Sequence, residues 1–233
     1  MQITWLTWVR QVWTIAKKDL LAESRTPHGV GTVLAFALVA LFIVSFNLGG
    51  ALLSSLARTD KAIVLAAMLW VILFFSALSG LSRCFTREED VKTAGALKLT
   101  AIPTAVYGGK LLYNILLMIA VEILTIPLFV ALMNVHVSNW STLLGGVIWG
   151  TLGLTATGTM LAAMVAKATV RTTLFGVIAF PLILPLLVFA INAASVGFGA
   201  EFDASGSLRV MGAYTVVSVT ASLLLFEPVW RGS

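Results

Sequence analysis

The sequence contains very little of the chemistry that most enzymes use. Among 233 residues there is one cysteine, Cys84, and there are two histidines, His28 and His136. A single cysteine excludes an intramolecular disulfide and a multi-cysteine metal site. Two distant histidines without a His-Glu-x-x-His motif exclude a zinc hydrolase of that type. The sequence therefore predicts a protein that is not an enzyme and that binds no metal or cofactor itself.

A nucleotide-binding loop of the Walker A type is also missing. That motif needs a glycine, four residues of any type and then Gly-Lys-Ser/Thr, so that backbone N–H groups cradle phosphate. The Gly109-Lys110 pair has Thr104 at the first glycine position and Leu111 after the lysine. The chain is therefore not expected to hydrolyse nucleotide.

Apolar residues dominate what is present. They make up 59% of the chain, only 11% of residues are charged, and the mean hydropathy is +1.01. They form unbroken runs long enough to cross about 30 Å of hydrocarbon, which takes roughly 20 helical residues. The pattern predicts an all-α polytopic membrane protein, a single transmembrane domain over residues 1–233. Six spans are expected, at about 30–53, 63–81, 106–133, 142–166, 170–194 and 208–230.

The first 22 residues predict a different kind of helix. Polar side chains at spacings of three and four form one stripe, and apolar side chains rich in Trp form the other, as expected for a helix at the headgroup boundary over residues 3–22. The alternative is an ordinary amphipathic helix that packs on a core. The polar stripe is Thr7, Arg10, Gln11, Thr14, Lys17 and Lys18, and the apolar stripe is Trp5, Trp8, Val9, Val12, Trp13, Ala16 and Leu20.

The basic residues are distributed asymmetrically about the predicted spans. Of the 15 Lys and Arg residues, twelve fall on one side, and only Arg58, Lys61 and Arg209 fall on the other. The positive-inside rule places the first side in the cytoplasm, together with both termini. This distribution argues for a bilayer rather than nucleic acid as the partner of the net charge of +5.

One polar segment interrupts the apolar runs between the second and third spans. Charge this dense cannot lie in hydrocarbon, so residues 83–105 are predicted to stand in the cytoplasm. Leu97, Leu99 and Ile102 recur among polar residues, and Pro103 ends the preceding helix. A short surface helix of this kind is suited to docking a soluble partner. The charged residues of the segment are Arg83, Arg87, Glu88, Glu89, Asp90, Lys92 and Lys98.

One acidic residue, Glu122, stands out in the middle of a predicted span. Glu122 is a candidate functional carboxylate because hydrocarbon tolerates it only with a partner or water. The alternative is a packing role, with Glu122 hydrogen-bonded to a neighbouring helix; Asn114 and Asn134 are nearby in sequence. Outside the spans, His136 in a short outer loop is either a haem-iron ligand or a solvated side chain.

Two further features concern helix packing. Gly150, Gly153 and Gly158 in the fourth span permit close helix contact, within the subunit or across a homodimer. Pro181 and Pro185 in the fifth span remove two backbone donors and predict a kink or a break. Such a feature is either a hinge or a static bend.

These residues together resemble the CcmB family of haem exporter membrane subunits. The resemblance is carried by the motifs around Leu69-Trp70-Val71 and Gly80-Leu81-Ser82-Arg83, by the acidic loop that ends at Pro103 and Lys110, by Gly150 to Thr159, and by Phe180-Pro181-Leu-Ile-Leu-Pro185. It implies a permease domain of the ABC-2 type, with an N-terminal elbow helix and a coupling helix, in the bacterial inner membrane. It also implies a separate ATPase, CcmA, that carries ATP, with CcmC, CcmD and the haem chaperone CcmE as further partners and haem as a possible cargo of the complex.

The resemblance assigns the contact with CcmA to the cytoplasmic segment. The coupling residues are expected to be Arg83, Arg87, Glu88, Glu89, Asp90, Leu97, Pro103 and Lys110. In the family, the ATPase is thought to drive release of haem-loaded CcmE. The alternatives are a permease of the same fold for a drug or lipid, a scaffold that moves nothing, and an enzyme of the membrane interior that depends on Glu122.

Overall fold

A computed structural model describes residues 5–25, 28–48, 55–85, 94–166, 168 and 170–232. These residues form eight α-helices and no β-strand. The helices are α1 (Trp5–Arg25), α2 (His28–Leu48), α3 (Arg58–Leu81), α4 (Ala94–Thr100), α5 (Pro103–Leu132), α6 (Trp140–Val165), α7 (Arg171–Gly197) and α8 (Ser205–Gly232).

Six of the helices, α2, α3 and α5 to α8, are long and apolar enough to cross a membrane. The prediction of six spans in an all-α membrane protein is therefore confirmed. The helices extend past the apolar runs: α3 begins at Arg58 rather than 63, because its first turn is polar and hydropathy does not register it. α4 ends at Thr100 and α5 begins at Pro103, where proline is tolerated because a first-turn N–H has no helical partner.

The helix α6 lies at the centre of the bundle. In its apolar window 78% of residues are buried, against 17% for α2. Small residues allow this central position, because neighbouring helices can approach their backbone closely. A Cβ at Gly150 would collide with the ring of Trp70 on α3, and one at Gly158 would lie 2.5 Å from Leu81 Cδ1. A Cβ at Gly153 would lie 2.7 Å from Leu186 on α7, so all three glycines contact helices of their own subunit.

The helix α1 packs along the start of α5 and so has three faces rather than the two expected. Trp8, Val12, Ile15 and Ala16 face α5 or are buried, whereas the sequence pattern assigned Trp8, Val12 and Ala16 to the lipid. Gln11 was expected on the polar stripe, but it is half-buried and bonded to the protein. An exposed apolar stripe remains beside this contact face, formed by Trp5, Leu6, Val9, Trp13 and Leu20.

The two prolines of α7 lie inside one continuous helix, so the helix is not broken there. Tyr214 of α8 donates a hydrogen bond of 3.0 Å to the carbonyl of Leu182, between the prolines. The same hydroxyl lies 3.1 Å from Thr157 Oγ1 on α6. The double-proline segment is therefore braced by both neighbouring helices.

Replacing Gly150 by alanine tests the close packing of α6. We expect Gly150→Ala to lower the free energy of unfolding by about 1–3 kcal/mol, because its methyl group would overpack the site against Trp70. Gly145→Ala on the same helix is the matched control, since a Cβ there would make ordinary contact at 3.6 Å with Leu208. Thermal unfolding in detergent measures both. Equal stability of the two variants would contradict the packing described here.

Candidate functional site

A buried lysine lies where α1, α5 and the end of α3 meet. Lys110 is only 2% exposed, although its amine carries a charge that apolar surroundings tolerate poorly. Its Nζ lies 3.0 Å from Asp19 Oδ2 on α1 and donates a 2.8 Å hydrogen bond to the carbonyl of Cys84, just beyond α3. It also lies 5.3 Å from the ring centroid of Phe85. One ammonium group therefore ties three parts of the chain together, and we call this arrangement the Lys110 junction.

The contact between α1 and α5 continues from this ion pair toward the N-terminal ends of both helices. Gln11 Oε1 accepts a 3.1 Å hydrogen bond from the backbone N–H of Ile102, which immediately precedes α5. Trp8 Nε1 donates to Thr104 Oγ1 at 3.2 Å. At Gly109 a Cβ would lie 2.7 Å from Ile15 Cβ, so only glycine allows this closeness of the two helices without rearrangement. The helix α1 is thus fixed on α5 by polar and apolar contacts.

The chain between α3 and α5 is anchored in the bundle at both ends. Phe85, which is buried, packs in an aromatic cluster with Tyr107, Phe226 and Trp230, with ring centroids 5.5–6.0 Å apart. On α4, Lys98 Nζ lies 5.3 Å from the centroid of Trp230. Because both ends contact the same cluster, a displacement of this segment reaches α5 and α8 directly.

The short helix α4 has one side toward the bundle and one away from it. Leu97 is partly buried and packs against the hydrophobic core. Leu99, two residues later, is 90% exposed, which is the highest exposure among the large hydrophobic side chains described. An isolated exposed leucine needs no explanation. On a polar segment anchored this firmly, however, it offers a hydrophobic contact to another protein.

A line of polar side chains continues from the Lys110 junction into the membrane-spanning region. Asn114 is fully buried, and its Nδ2 donates to Cys84 Sγ at 3.3 Å and to Thr159 Oγ1 at 2.8 Å. Thr159 and Thr155 each donate to the backbone carbonyl four residues earlier on α6. Thr151, next in this series, donates to Glu122 Oε1 on α5. The line joins α5 to α6 at two levels, Asn114 and Glu122.

Glu122 has a partner that was not predicted. The sequence suggested Asn114 or Asn134, but the hydroxyl group that contacts Glu122 belongs to Thr151. Asn114 lies eight residues earlier on the same helix, a distance of about 12 Å along its axis, and therefore cannot reach. The arrangement explains how the buried carboxyl group is accommodated without assigning chemistry to it.

The predicted coupling residues do not form one surface. Arg83 is exposed, Leu97 and Pro103 are partly buried, and Lys110 is buried. Lys110 is therefore enclosed by the protein. The count of basic residues had instead treated it as a side chain that faces the cytoplasm. The prediction for Arg87, Glu88, Glu89 and Asp90 falls outside the described residues.

Sequence analysis missed the residues that surround Lys110. Asp19 was not singled out, Cys84 was considered only for disulfides and metals, and Gln11 was placed on the wrong face. One signal was available: Asp19 lies on the helical face of Trp8, Val12 and Ile15, at spacings of three and four. A carboxylate on an otherwise apolar face predicts a buried cation partner, although it does not say which one.

The helical architecture and its buried polar line define a multi-pass α-helical membrane protein without extramembrane domains among the described residues. Residues 10–227 match the family described as CcmB protein. The chain therefore belongs to the CcmB family, which confirms the resemblance seen in its motifs.

Two relatives cover most of the chain. It is 28% identical over 190 residues to heme exporter protein B of Rhodobacter capsulatus, a match that spans 80% of this chain and 83% of that protein. It is also 28% identical over 209 residues to heme exporter protein B of Paracoccus denitrificans, across 87% of this chain and 90% of that protein.

Removing the lysine charge tests the Lys110 junction. We expect Lys110→Met to lower the free energy of unfolding by about 3 kcal/mol, because the Cys84 carbonyl and Asp19 lose a buried partner. Asp19 keeps its 3.1 Å ion pair with the half-exposed Lys18, which limits the loss. Adding Asp19→Leu to Lys110→Met should recover part of that loss, since no carboxylate then lacks its buried cation. The exposed Lys17, as Lys17→Met, is the control. Thermal unfolding of Lys110→Met at the wild-type temperature would contradict the junction.

Proposed function

We propose that this chain is the membrane subunit of an ABC transporter for haem export in cytochrome c maturation. Family membership and the names of both relatives support this assignment. The chain would sit in the bacterial inner membrane as a homodimer with both termini in the cytoplasm. ATP would be hydrolysed by the separate ATPase CcmA, and the complex would work with CcmC, CcmD and CcmE to release haem-loaded CcmE.

Residues 83–105 are the proposed entry point for ATPase motion. The observation that carries this proposal is the anchoring of both ends of the segment in one aromatic cluster, while Leu99 on the same segment stands 90% exposed. A partner that binds the exposed side of α4 can therefore transmit its motion to α5 and α8 through these contacts. Glu88, Glu89 and Asp90 would add charge complementarity to that contact.

The docking proposal is tested by co-purification of the ATPase. We expect both Leu99→Ser and lysine substitution of Glu88, Glu89 and Asp90 to reduce ATPase recovery at least about tenfold, because hydrophobic anchors and charge pairs dominate such contacts. Leu21→Ser is the matched control, an exposed leucine on α1 outside the segment. Full ATPase recovery with both coupling variants would remove this segment from the interface.

Cell phenotypes separate the proposed substrate from its alternatives. Deletion should abolish maturation of c-type cytochromes, whereas a drug or lipid permease would leave maturation intact. A catalytically dead ATPase should give the same defect as the deletion. Normal maturation with the dead ATPase would instead support a scaffold, and Glu122→Gln that retains activity would dismiss an enzyme of the membrane interior.

The double-proline segment of α7 is the proposed two-state element. Alanine at both Pro181 and Pro185 would restore two backbone donors and stiffen the helix. We expect this variant to keep its ATPase but to lower cytochrome maturation about tenfold, in the range of ordinary coupling energies. Pro228→Ala, on α8, is the control. Wild-type maturation by the α7 variant would identify a static bend.

A further inference from the structure

A pocket of about 270 Å³ lies at the end of the bundle opposite the Lys110 junction. It is formed where α3 begins and where α5 and α7 end. Its lining combines five polar side chains with the apolar Ala62, Leu65, Val135 and Phe198. The polar groups are Arg58, Lys61, Asn134, His136 and Ser138.

The pocket is basic, although it lies on the side of the membrane to which few Lys and Arg residues were assigned. Only three of the 15 Lys and Arg residues were assigned to this side of the membrane, and two of those three, Arg58 and Lys61, line the pocket. No acidic residue lines it, and neither cation forms an ion pair with another residue that the structure describes. Two cations and a histidine that line one pocket without an acidic residue favour an anion as its ligand.

The walls of the pocket are held in place by backbone contacts. The N–H groups of Ser138 and Asn139 both donate to the carbonyl of Gly197, at 2.9 and 3.1 Å. Asn134 has a positive φ of 47° that closes the end of α5. Gly199, at φ 104°, lets its backbone lie against Arg58, since a Cβ there would come within 3.2 Å of the guanidinium Nη2. The cation is thereby positioned before any ligand arrives.

The size and level of the pocket indicate the ligand. Its volume equals about nine water molecules at roughly 30 Å³ each, and it falls below the roughly 300–1,000 Å³ of sites that enclose a whole drug-sized ligand. It lies at the ends of three spans, and the exposed Trp140 follows Ser138 of its lining by two residues. Aromatic residues at the ends of spans mark the headgroup level. Arginine binds phosphate oxygens in a bidentate manner.

From these observations we infer that the pocket binds the phosphate group of an anionic phospholipid from the adjoining leaflet. Arg58 and Lys61 bind the phosphate oxygens. The side chains of Asn134, His136 and Ser138 contact the rest of the headgroup, and the apolar lining residues contact the first part of the acyl chains. This site is independent of the proposed haem export and of ATPase docking.

Lipid binding to the purified protein tests the inference. Native mass spectrometry would compare short-chain phosphatidylglycerol with zwitterionic phosphatidylcholine on wild type and on the Arg58→Gln/Lys61→Gln variant. We expect wild type to prefer phosphatidylglycerol at least about tenfold and the variant to lose this preference, since two charge-assisted contacts are removed. Charge-retaining Arg58→Lys/Lys61→Arg should keep most of the preference, which separates loss of charge from misfolding.

The remaining outer cation supplies the matched control. Arg209 is exposed, lies beside Asp203 and does not line the pocket, so Arg209→Gln should leave binding unchanged. Excess inorganic phosphate distinguishes the source of the ligand: displacement of phosphatidylglycerol means that a free phosphate suffices, and its retention means that the lipid body is needed. An equal effect of Arg209→Gln, or an unchanged preference in the Arg58→Gln/Lys61→Gln variant, would overturn the inference.

Discussion

The ammonium group of Lys110 is the constraint on which the basic end of this bundle depends. A charged amine that is 2% exposed inside a protein of mean hydropathy +1.01 must be paired, or its burial would cost several kcal/mol. Its partners come from two other parts of the chain, Asp19 on α1 and the Cys84 carbonyl after α3. Neither α1 nor the chain after α3 can move far from α5 without exposing this charge to an apolar environment. The pair thus fixes the relative positions of three elements more than it adds net stability.

From this junction the polar contacts continue along the α5–α6 boundary, and they change in character. At Asn114 and Thr159 they are neutral side-chain hydrogen bonds, and at Thr151 a hydroxyl meets the carboxyl group of Glu122. Hydrogen bonds between transmembrane helices fix helix register at modest energy. Close packing of Gly150 against Trp70 and of Gly158 against Leu81 also fixes the register of α6 against α3. These contacts hold α3, α5 and α6 in register, and the packing of Gly153 against Leu186 joins α7 to the same unit.

The sequence predicted the parts of this fold that depend on local composition. Unbroken apolar runs located all six spans, and charge density located the segment around Leu99. Contacts between distant residues could not be predicted in the same way. Lys110 was counted as a cytoplasmic cation because a charge count takes no account of partners, and Asp19 lies 91 residues away. The partner of Glu122 was wrong for a related reason, because proximity in sequence suggested Asn114, whereas helix geometry brings Thr151 from α6.

A mechanism in which ATPase motion enters through the Lys110 junction has a natural reporter in Cys84. This is the only cysteine of the chain; it is buried, and its sulfur accepts a hydrogen bond from Asn114. The most direct measurement is the rate of maleimide labelling of Cys84 in the intact complex, read by peptide mass spectrometry, without nucleotide and with ATP trapped on a hydrolysis-deficient ATPase. The account predicts that the labelling rate differs between the two states, because displacement of the cytoplasmic segment disturbs the contacts that cover the thiol. Identical rates in both states, with ATP binding verified, would contradict it.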